Sequence, residues 1–552
     1  MSTLKKQTFV YGALILMVSN ILTKVVGAFL RIPLTNIVGV EGMAYYNAAY
    51  SIYVSFYMIS TAGIPVAVSR MIASANSKNS NKEIRKIFRV AITLFFIIGV
   101  IGTAVMMIYS NKFAKSSNMP DANLAMLAIA PTIFFICLSS AYRGYFQGLQ
   151  NMIPTAVSQL IEAVSKLGIG IVCAVYFISK GYPLHKVAAF VILGVTLGVL
   201  FGMLYSMIIK KMYTASEEYK NSINNSVECT RTSKDILFEL IMIAIPITLA
   251  SSIMGLTNVV DTMLLANGLE AAGVTEKAAT AYYGTYTSMV FPLFNLVPPF
   301  IYPFAISAIP AISSALTIGN KEKAFKDIES AFRNCAIIAI PCAIGMGCCS
   351  RNIISFLFGE EIIVNGNKSV STLDLASPAL SAISVGIFFL GIISITNSVL
   401  QASKKESYTI ISTVSGIIVK IIATYFLSRI PDFGVLGSAL GTVLGYFTIM
   451  CFNLFFMMTK TGYVPNASKI FAKPLISGLL CGISALLTSG VLNKLNVHSR
   501  LATLVTIMVA AIVYAVMIIA IKGINRYDVM NMPKGDKLCK IMDKFNLLEK
   551  GE

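Results

Sequence analysis

The sequence predicts an all-α integral membrane protein of about fourteen transmembrane helices: two six-helix lobes related by a parallel internal repeat, plus two C-terminal helices. Three observations predict it. Hydrophobic residues make up 56% of the chain and charged residues 12%, and a mean hydropathy of +0.76 lies outside the range of an ordinary soluble domain. The apolar runs are mostly about 20 residues long, the length a helix needs to cross a hydrocarbon core of about 30 Å. Short motifs also recur in the same order in the two halves of the chain. Strand-like alternation is absent, so a membrane barrel is not expected.

Reading the apolar runs in order places spans at 8–32, 44–68, 90–110, 122–142, 153–178, 187–209, 235–266, 280–312, 334–350, 376–400, 407–428, 434–459, 474–492 and 501–521. The first run follows Lys5 and Lys6 as a signal peptide would, but it is too long and lacks a small-residue cleavage site, so it reads as an uncleaved first helix. With the N-terminus placed inside, about three times as many Lys and Arg fall on the inside as on the outside. Cytoplasmic segments retain basic residues, so both termini are expected in the cytoplasm. That topology also accounts for the net charge of +19. The basic residues are dispersed between apolar runs, which argues against nucleic acid as a partner.

The repeat is legible from short matches. TKVVG at Thr23–Gly27 echoes TNVVD at Thr257–Asp261, and AYYNAAYS at Ala44–Ser51 echoes AYYGTYTS at Ala281–Ser288. Ile64-Pro65 and Phe88-Arg89 reappear as Ile309-Pro310 and Phe332-Arg333. Gln147, Ser158 and Lys166 match Gln401, Ser412 and Lys420. An even number of spans per half means both halves enter the membrane the same way round, related by an axis along its normal. The expected organisation is a first lobe at 1–210, a cytoplasmic linker at 211–234, a second lobe at 235–460, two added spans within 461–525 and a basic tail at 526–552. The linker is polar and rich in Ser and Asn, as a flexible tether would be. In the tail, Leu538, Ile541, Met542, Phe545 and Leu548 recur at helical spacing beside lysines, the pattern of a short helix lying on the cytoplasmic leaflet.

Few residues are available for covalent chemistry. The ten cysteines have no metal-ligand or disulfide spacing and read as small hydrophobes. The two histidines, His185 and His498, both fall in short connections. No metal site, no Walker-type phosphate loop and no bound cofactor are expected.

The informative residues are charges at membrane depth. Lys24 and Arg31 lie within SNILTKVVGAFLRIPLTN, two helical turns apart and therefore on one face. A cation near a bilayer centre costs about 2.5–3.5 kcal/mol, so such groups normally face a polar cavity or a partner. The alternatives are that Arg31, near Pro33, reaches a headgroup and that Lys24 pairs with a carboxylate elsewhere. Glu162 and Lys166 are spaced i,i+4 and can neutralise one another. Lys420 repeats the lysine, but Gly416 replaces the glutamate. Asp261 sits at the repeat position held by Gly27.

The functional reading places Lys24, Arg31, Lys166 and Lys420 on a cavity between the halves, with Glu162 and Asp261 as counter-charges or ion ligands; structural salt bridges are the alternative. Arg143, where the fourth span meets the cytoplasm, is either a phosphate contact at the mouth or a positive-inside anchor. Prolines 292, 298, 299, 303 and 310 should break the eighth span, a natural place for a gate. A cationic cavity bounded by apolar helices suits an anion with a long apolar part, such as a lipid-linked phosphate. Exporting one negative charge from a negative interior gains about 2.3 kcal/mol per 100 mV, enough to drive flipping without ATP.

These residues also carry a family resemblance. KVVGAFLRIPLTNIVGVEGMAYYNAAYSIY, then STAGIPVAVSR, RGYFQGLQNMIPTAVSQLIEA and AIPAIS, resemble the stage V sporulation protein B group of polysaccharide transporters. That group lies within the multidrug, oligosaccharidyl-lipid and polysaccharide exporter superfamily and is similar to the lipid II flippases. The resemblance covers essentially residues 1–525. It implies two lobes, alternating access, two extra helices beside a lipid groove, and use of Lys24 and Arg31 on a pyrophosphate. The chain departs from those flippases in having Gly284-Thr285 where they carry a basic residue, and no cavity arginine in the second span.

The expected function is therefore flipping of a lipid-linked oligosaccharide, foremost the peptidoglycan precursor lipid II, in connection with spore cortex formation and without breaking a bond. Membrane lipids are the surroundings, and coupling to potential, Na+ or H+ stays open. A cation-coupled multidrug exporter is the rival, and a membrane glycosyltransferase a more distant one; protein partners cannot be read from the sequence.

Overall fold

The computed structural model describes residues 9–525 except 62, 225, 228–230, 367, 432 and 496, with some helical stretches described by backbone alone. The amphipathic tail expected beyond residue 525 lies outside the described residues. Among those described, eleven helices are long and apolar enough to cross a membrane, and the protein is an all-α integral membrane protein as the hydropathy predicts. By contacts the chain divides into two units. The first comprises 1–267 and 279–288, and the second 268–278 and 289–552.

In the first unit, α1 (Phe9–Thr61) is two helical arms joined at Gly39, whose φ of 74° and ψ of 169° suit a residue without a side chain. The first span was expected to end before Pro33, yet the helix runs through it. Pro33 gives up one backbone bond, and nearby the Thr35 hydroxyl donates to Arg31 O at 2.9 Å, the kind of local adjustment that lets membrane helices retain proline. After α1 come α2 (Gly63–Ser77), α3 (Asn81–Ser116), α4 (Asn123–Gly148), α5 (Ile153–Ser179) and α6 (Leu184–Ala215). The most apolar stretches of α4 and α6 are each 61% buried, while that of α5 is only 22% buried.

The linker is not simply a tether. It contains α7 (Glu217–Asn224), and Tyr219 is 7% exposed against Tyr213, with ring centroids 5.1 Å apart. Burial pushes the Tyr219 phenol up, keeping it neutral. The Ser80 hydroxyl donates to Val227 O at 3.2 Å, and Arg231 pairs with Glu83 at 3.2 Å and with Glu239. A tyrosine and an arginine that find partners explain why a segment of low hydrophobicity docks locally. The unit also includes most of α8 (Ser233–Ala271) and part of α9 (Glu276–Thr285).

The proline-rich eighth span is broken, as its composition predicts. A π-helical turn, Tyr286–Val290, follows α9, then come the single turn α10 (Phe291–Phe294) and, after a non-helical step, α11 (Pro298–Thr317). The boundary between the two units falls inside that π turn.

The second unit continues with α12 (Lys321–Cys348), α13 (Ser350–Phe358), α14 (Thr372–Ala402), α15 (Ser407–Leu427), α16 (Gly434–Thr461), α17 (Ala467–Lys494) and α18 (Ser499–Ala520). Asn320 caps α12 by accepting from Lys323 N at 2.9 Å, and Asn466 caps α17 in the same way from Lys469 N at 3.1 Å. The burial contrast of the first unit recurs: 67% for α14 and 17% for α15, the counterparts of α4 and α5. The two added helices, α17 and α18, pack on each other, and both contact α12.

A small antiparallel hairpin between α13 and α14 was not anticipated. Strands β1 (Ile362–Asn365) and β2 (Lys368–Ser371) pair from Ile362↔Ser371 to Asn365↔Lys368. The Gly366-Asn367 pair between the strands, with Gly366 at φ 60°, is the hairpin signal that a reading tuned to 20-residue runs passes over.

Each unit repeats one close helix pair. A Cβ on Gly198 of α6 would come 2.7 Å from Glu162 O of α5, and a Cβ on Gly445 of α16 would come 2.8 Å from the Lys420 Cβ of α15. The two backbones can approach only because those positions lack side chains. The helix carrying each repeated lysine is thereby held rigidly within its unit.

Candidate functional site

A cavity of about 440 Å³ lies within the first unit, a size suited to a small-molecule or headgroup site. The first arm of α1 lines it with Asn20, Thr23, Gly27, Arg31 and Leu34, one face of a helix by their spacing. The second arm contributes Tyr46, Tyr50, Tyr53 and Tyr57, and α5 contributes Gln159, Glu162 and Lys166. Arg143 enters from α4.

The structure brings together four of the charged residues singled out in the sequence. Arg31, Arg143, Glu162 and Lys166 all line this cavity. Arg31 bonds through Nη2 to Asn47 Oδ1. Asn47 in turn donates from Nδ2 to Thr287 Oγ1 at 3.0 Å and to Ser288 Oγ at 2.8 Å. These partners belong to the two copies of the repeated motif, AYYNAAYS and AYYGTYTS, which therefore meet inside one unit. Asn47 fixes the guanidinium while adding no charge of its own.

The partners of Glu162 and Lys166 differ from the helical i,i+4 pairing. The Glu162 carboxylate accepts from Arg143 Nη2 at 2.8 Å, with side-chain exposures of 21% and 7%. Lys166 donates from Nζ to the Tyr50 hydroxyl at 3.2 Å and stands 4.4 Å from that ring's centroid. A guanidinium can grip a carboxylate more firmly than a flexible ammonium on the same helix, which accounts for the exchange. Arg143 is buried at 5% exposure. Among the described lining residues three cations face one carboxylate, an excess of two positive charges.

The remaining predicted residues lie elsewhere or beyond description. The backbone of Lys24 is helical, but its side chain is outside the described residues. Asp261 lies on α8 beside Thr262, whose hydroxyl bonds Ser51 Oγ at 3.0 Å and the Tyr283 hydroxyl at 3.1 Å. Lys420 belongs to the second unit, on α15. Among the described cysteines, all unbridged, Cys137, Cys335, Cys349 and Cys481 are buried, in keeping with small hydrophobes.

Sequence reasoning missed Asn47, Gln159 and the four tyrosines. The tyrosines did leave a signal, because positions 46, 50, 53 and 57 fall on one helical face, beginning in the motif that repeats.

Comparison with known proteins adds the lineage. The polysaccharide biosynthesis protein family matches residues 9–316. The chain is 25% identical over 542 residues to stage V sporulation protein B of Bacillus subtilis (strain 168), covering 96% of this chain and 98% of that protein. It is 24% identical over 502 residues to the lipid II flippase MurJ of the same organism, covering 87% and 88% of the two chains. A solved structure of lipid II flippase MurJ in an inward closed conformation superposes with a TM-score of 0.65 at 16% identity, covering 91% of this chain and 97% of that one, which shows a shared fold. With the family matching more than half of its length, the chain belongs to the polysaccharide biosynthesis protein family.

Proposed function

We propose that this protein moves a lipid-linked pyrophosphate oligosaccharide, foremost lipid II, from the inner to the outer leaflet of a bacterial plasma membrane by alternating access, with both termini cytoplasmic. One observation carries the reading: among the described residues lining the first-unit cavity, Arg31, Arg143 and Lys166 stand against one carboxylate, Glu162. Each phosphate of a pyrophosphate diester bears one negative charge at neutral pH, so the cargo matches the excess of two positive charges. Arginine and lysine donors also fit phosphate oxygens chemically. The relatives named for lipid II flipping and for sporulation support the cargo and a use in spore cortex formation. No bond in the cargo is broken, and outward movement of its negative charge is favoured by a potential that is negative inside.

A cation-coupled drug exporter is the competing reading. Its cargo would call for carboxylates in excess, and this cavity has cations in excess.

The test is leaflet translocation of a fluorescent lipid II analogue in proteoliposomes, with and without an imposed potential, in wild type, Arg31→Ala and Lys166→Ala. Potential-sensitive flipping that is lost in both variants is expected. A folded wild type that flips nothing, or variants that flip normally, would overturn the proposal.

A further inference from the structure

The charge reading leaves the tyrosines of the cavity without a task. Tyr46, Tyr50, Tyr53 and Tyr57 form a continuous ladder along one wall, with successive ring centroids 5.8, 5.7 and 6.0 Å apart. Eleven helical steps, from Tyr46 to Tyr57, extend this ladder over about 17 Å. An anionic group needs donors, which the cations supply. Phenol rings offer something else, flat apolar faces bordered by hydroxyls. That is the complement of a pyranose, which has an apolar C–H face and a rim of hydroxyls.

Two further observations point to the same ligand. Gln159 lines the cavity, and its Oε1 is buried with no hydrogen-bond partner among the described residues, an acceptor waiting for a donor. Tyr50 is where the ladder meets the charges, because Lys166 rests over its ring and on its hydroxyl. An ammonium held by a neutral phenol is held less firmly than one held by a phosphate. An arriving pyrophosphate can therefore draw Lys166 away and leave the Tyr50 ring uncovered beside it.

Resting on the pyrophosphate reading of this cavity, we propose that the ladder is a pyranose subsite. The sugar nearest the pyrophosphate lies against Tyr50, Gln159 Oε1 accepts one of its hydroxyls, and Lys166 moves from the ring to the phosphate.

The test measures binding of two probes to the full-length protein in detergent: the methyl diester of farnesyl pyrophosphate, and the equally charged diester bearing one N-acetylglucosamine in place of methyl. Wild type is expected to bind the sugar diester about tenfold tighter, the scale of one well-placed ring contact and hydrogen bond. Tyr50→Leu should reduce that preference to under about twofold. Gln159→Met should reduce it about threefold. Tyr50→Trp should keep it, and in a sequence with no other tryptophan its emission should shift further with the sugar diester than with the methyl diester. Equal affinities in wild type, or a preference unchanged in both Tyr50→Leu and Gln159→Met, overturn the subsite. Failure of the methyl diester to bind wild type overturns the pyrophosphate reading itself and this inference with it. If Tyr50→Leu does not fold, Gln159→Met and the Tyr50→Trp emission decide the matter.

Discussion

Replacing Glu162 by glutamine tests both the packing and the chemistry of the cavity. The variant keeps the side chain's shape but leaves Arg143, 5% exposed, facing a neutral amide. At 2.8 Å the Coulomb attraction of the pair is about 6 kcal/mol at an effective dielectric of 20. Desolvation of both groups opposes most of it, and loss of one partner from a buried pair costs about 3–5 kcal/mol. The Glu162 side chain is 21% exposed, so the lower end, about 3 kcal/mol, is expected.

Arg143→Met should cost a similar amount. The double variant should cost less than the two singles together by about 2 kcal/mol, because neither charge is then left stranded. The assay is unfolding in mixed micelles of mild detergent and sodium dodecyl sulfate, followed by far-ultraviolet circular dichroism on all four proteins. Additivity within about 0.5 kcal/mol would mean that the two groups do not form the buried pair. Binding supplies a second readout. Glu162→Gln removes the one carboxylate among the described lining residues, and an anion about 6 Å away should gain about 1.4 kcal/mol at an effective dielectric of 40, or tenfold in affinity. An unchanged or weakened affinity for the farnesyl pyrophosphate methyl diester would place Glu162 outside the field felt by the cargo.

Three further outcomes are expected. Lys24→Glu and Arg31→Glu should each abolish lipid translocation while membrane insertion and elution as a single species persist; transport retained in both would remove these residues from the binding role. Gly198→Ala, whose Cβ would come 2.7 Å from a backbone oxygen, should destabilise the first unit by about 1–3 kcal/mol in the same micelle titration, and a loss below about 0.5 kcal/mol would contradict the close approach of α5 and α6. Tyr219→Ala should free α7 from its docked position and speed proteolytic cleavage within 211–234, whereas an unaltered digestion rate would show that the tyrosine does not hold the linker.

The fold was largely legible in the sequence because a bilayer imposes one length scale and one permitted element on most of the chain. Runs of about 20 apolar residues located most spans, five prolines marked the broken eighth helix, and collinear short matches exposed the repeat. The misses have physical causes. Pro33 did not end its helix, since a membrane environment favours keeping backbone bonds over breaking the rod. The hairpin at 362–371 is too short to register in a window sized for spans.

The sequence by itself determined the chemistry available at membrane depth: Lys24, Arg31, Lys166 and Lys420 as cations, Glu162 and Asp261 as acids, and a family resemblance that the comparisons bear out. Only the tertiary structure decided who meets whom. Helical spacing relates residues on one helix, but Arg143 and Glu162 are nineteen positions apart on different helices, and their pairing depends on how α4 and α5 pack. The same packing puts Lys166 on Tyr50 of α1 and joins Asn47 to the second copy of its own motif. Sequence periodicity fixes the direction of a side chain about its own axis; the partner across the cavity is set by helix packing, which no local pattern encodes.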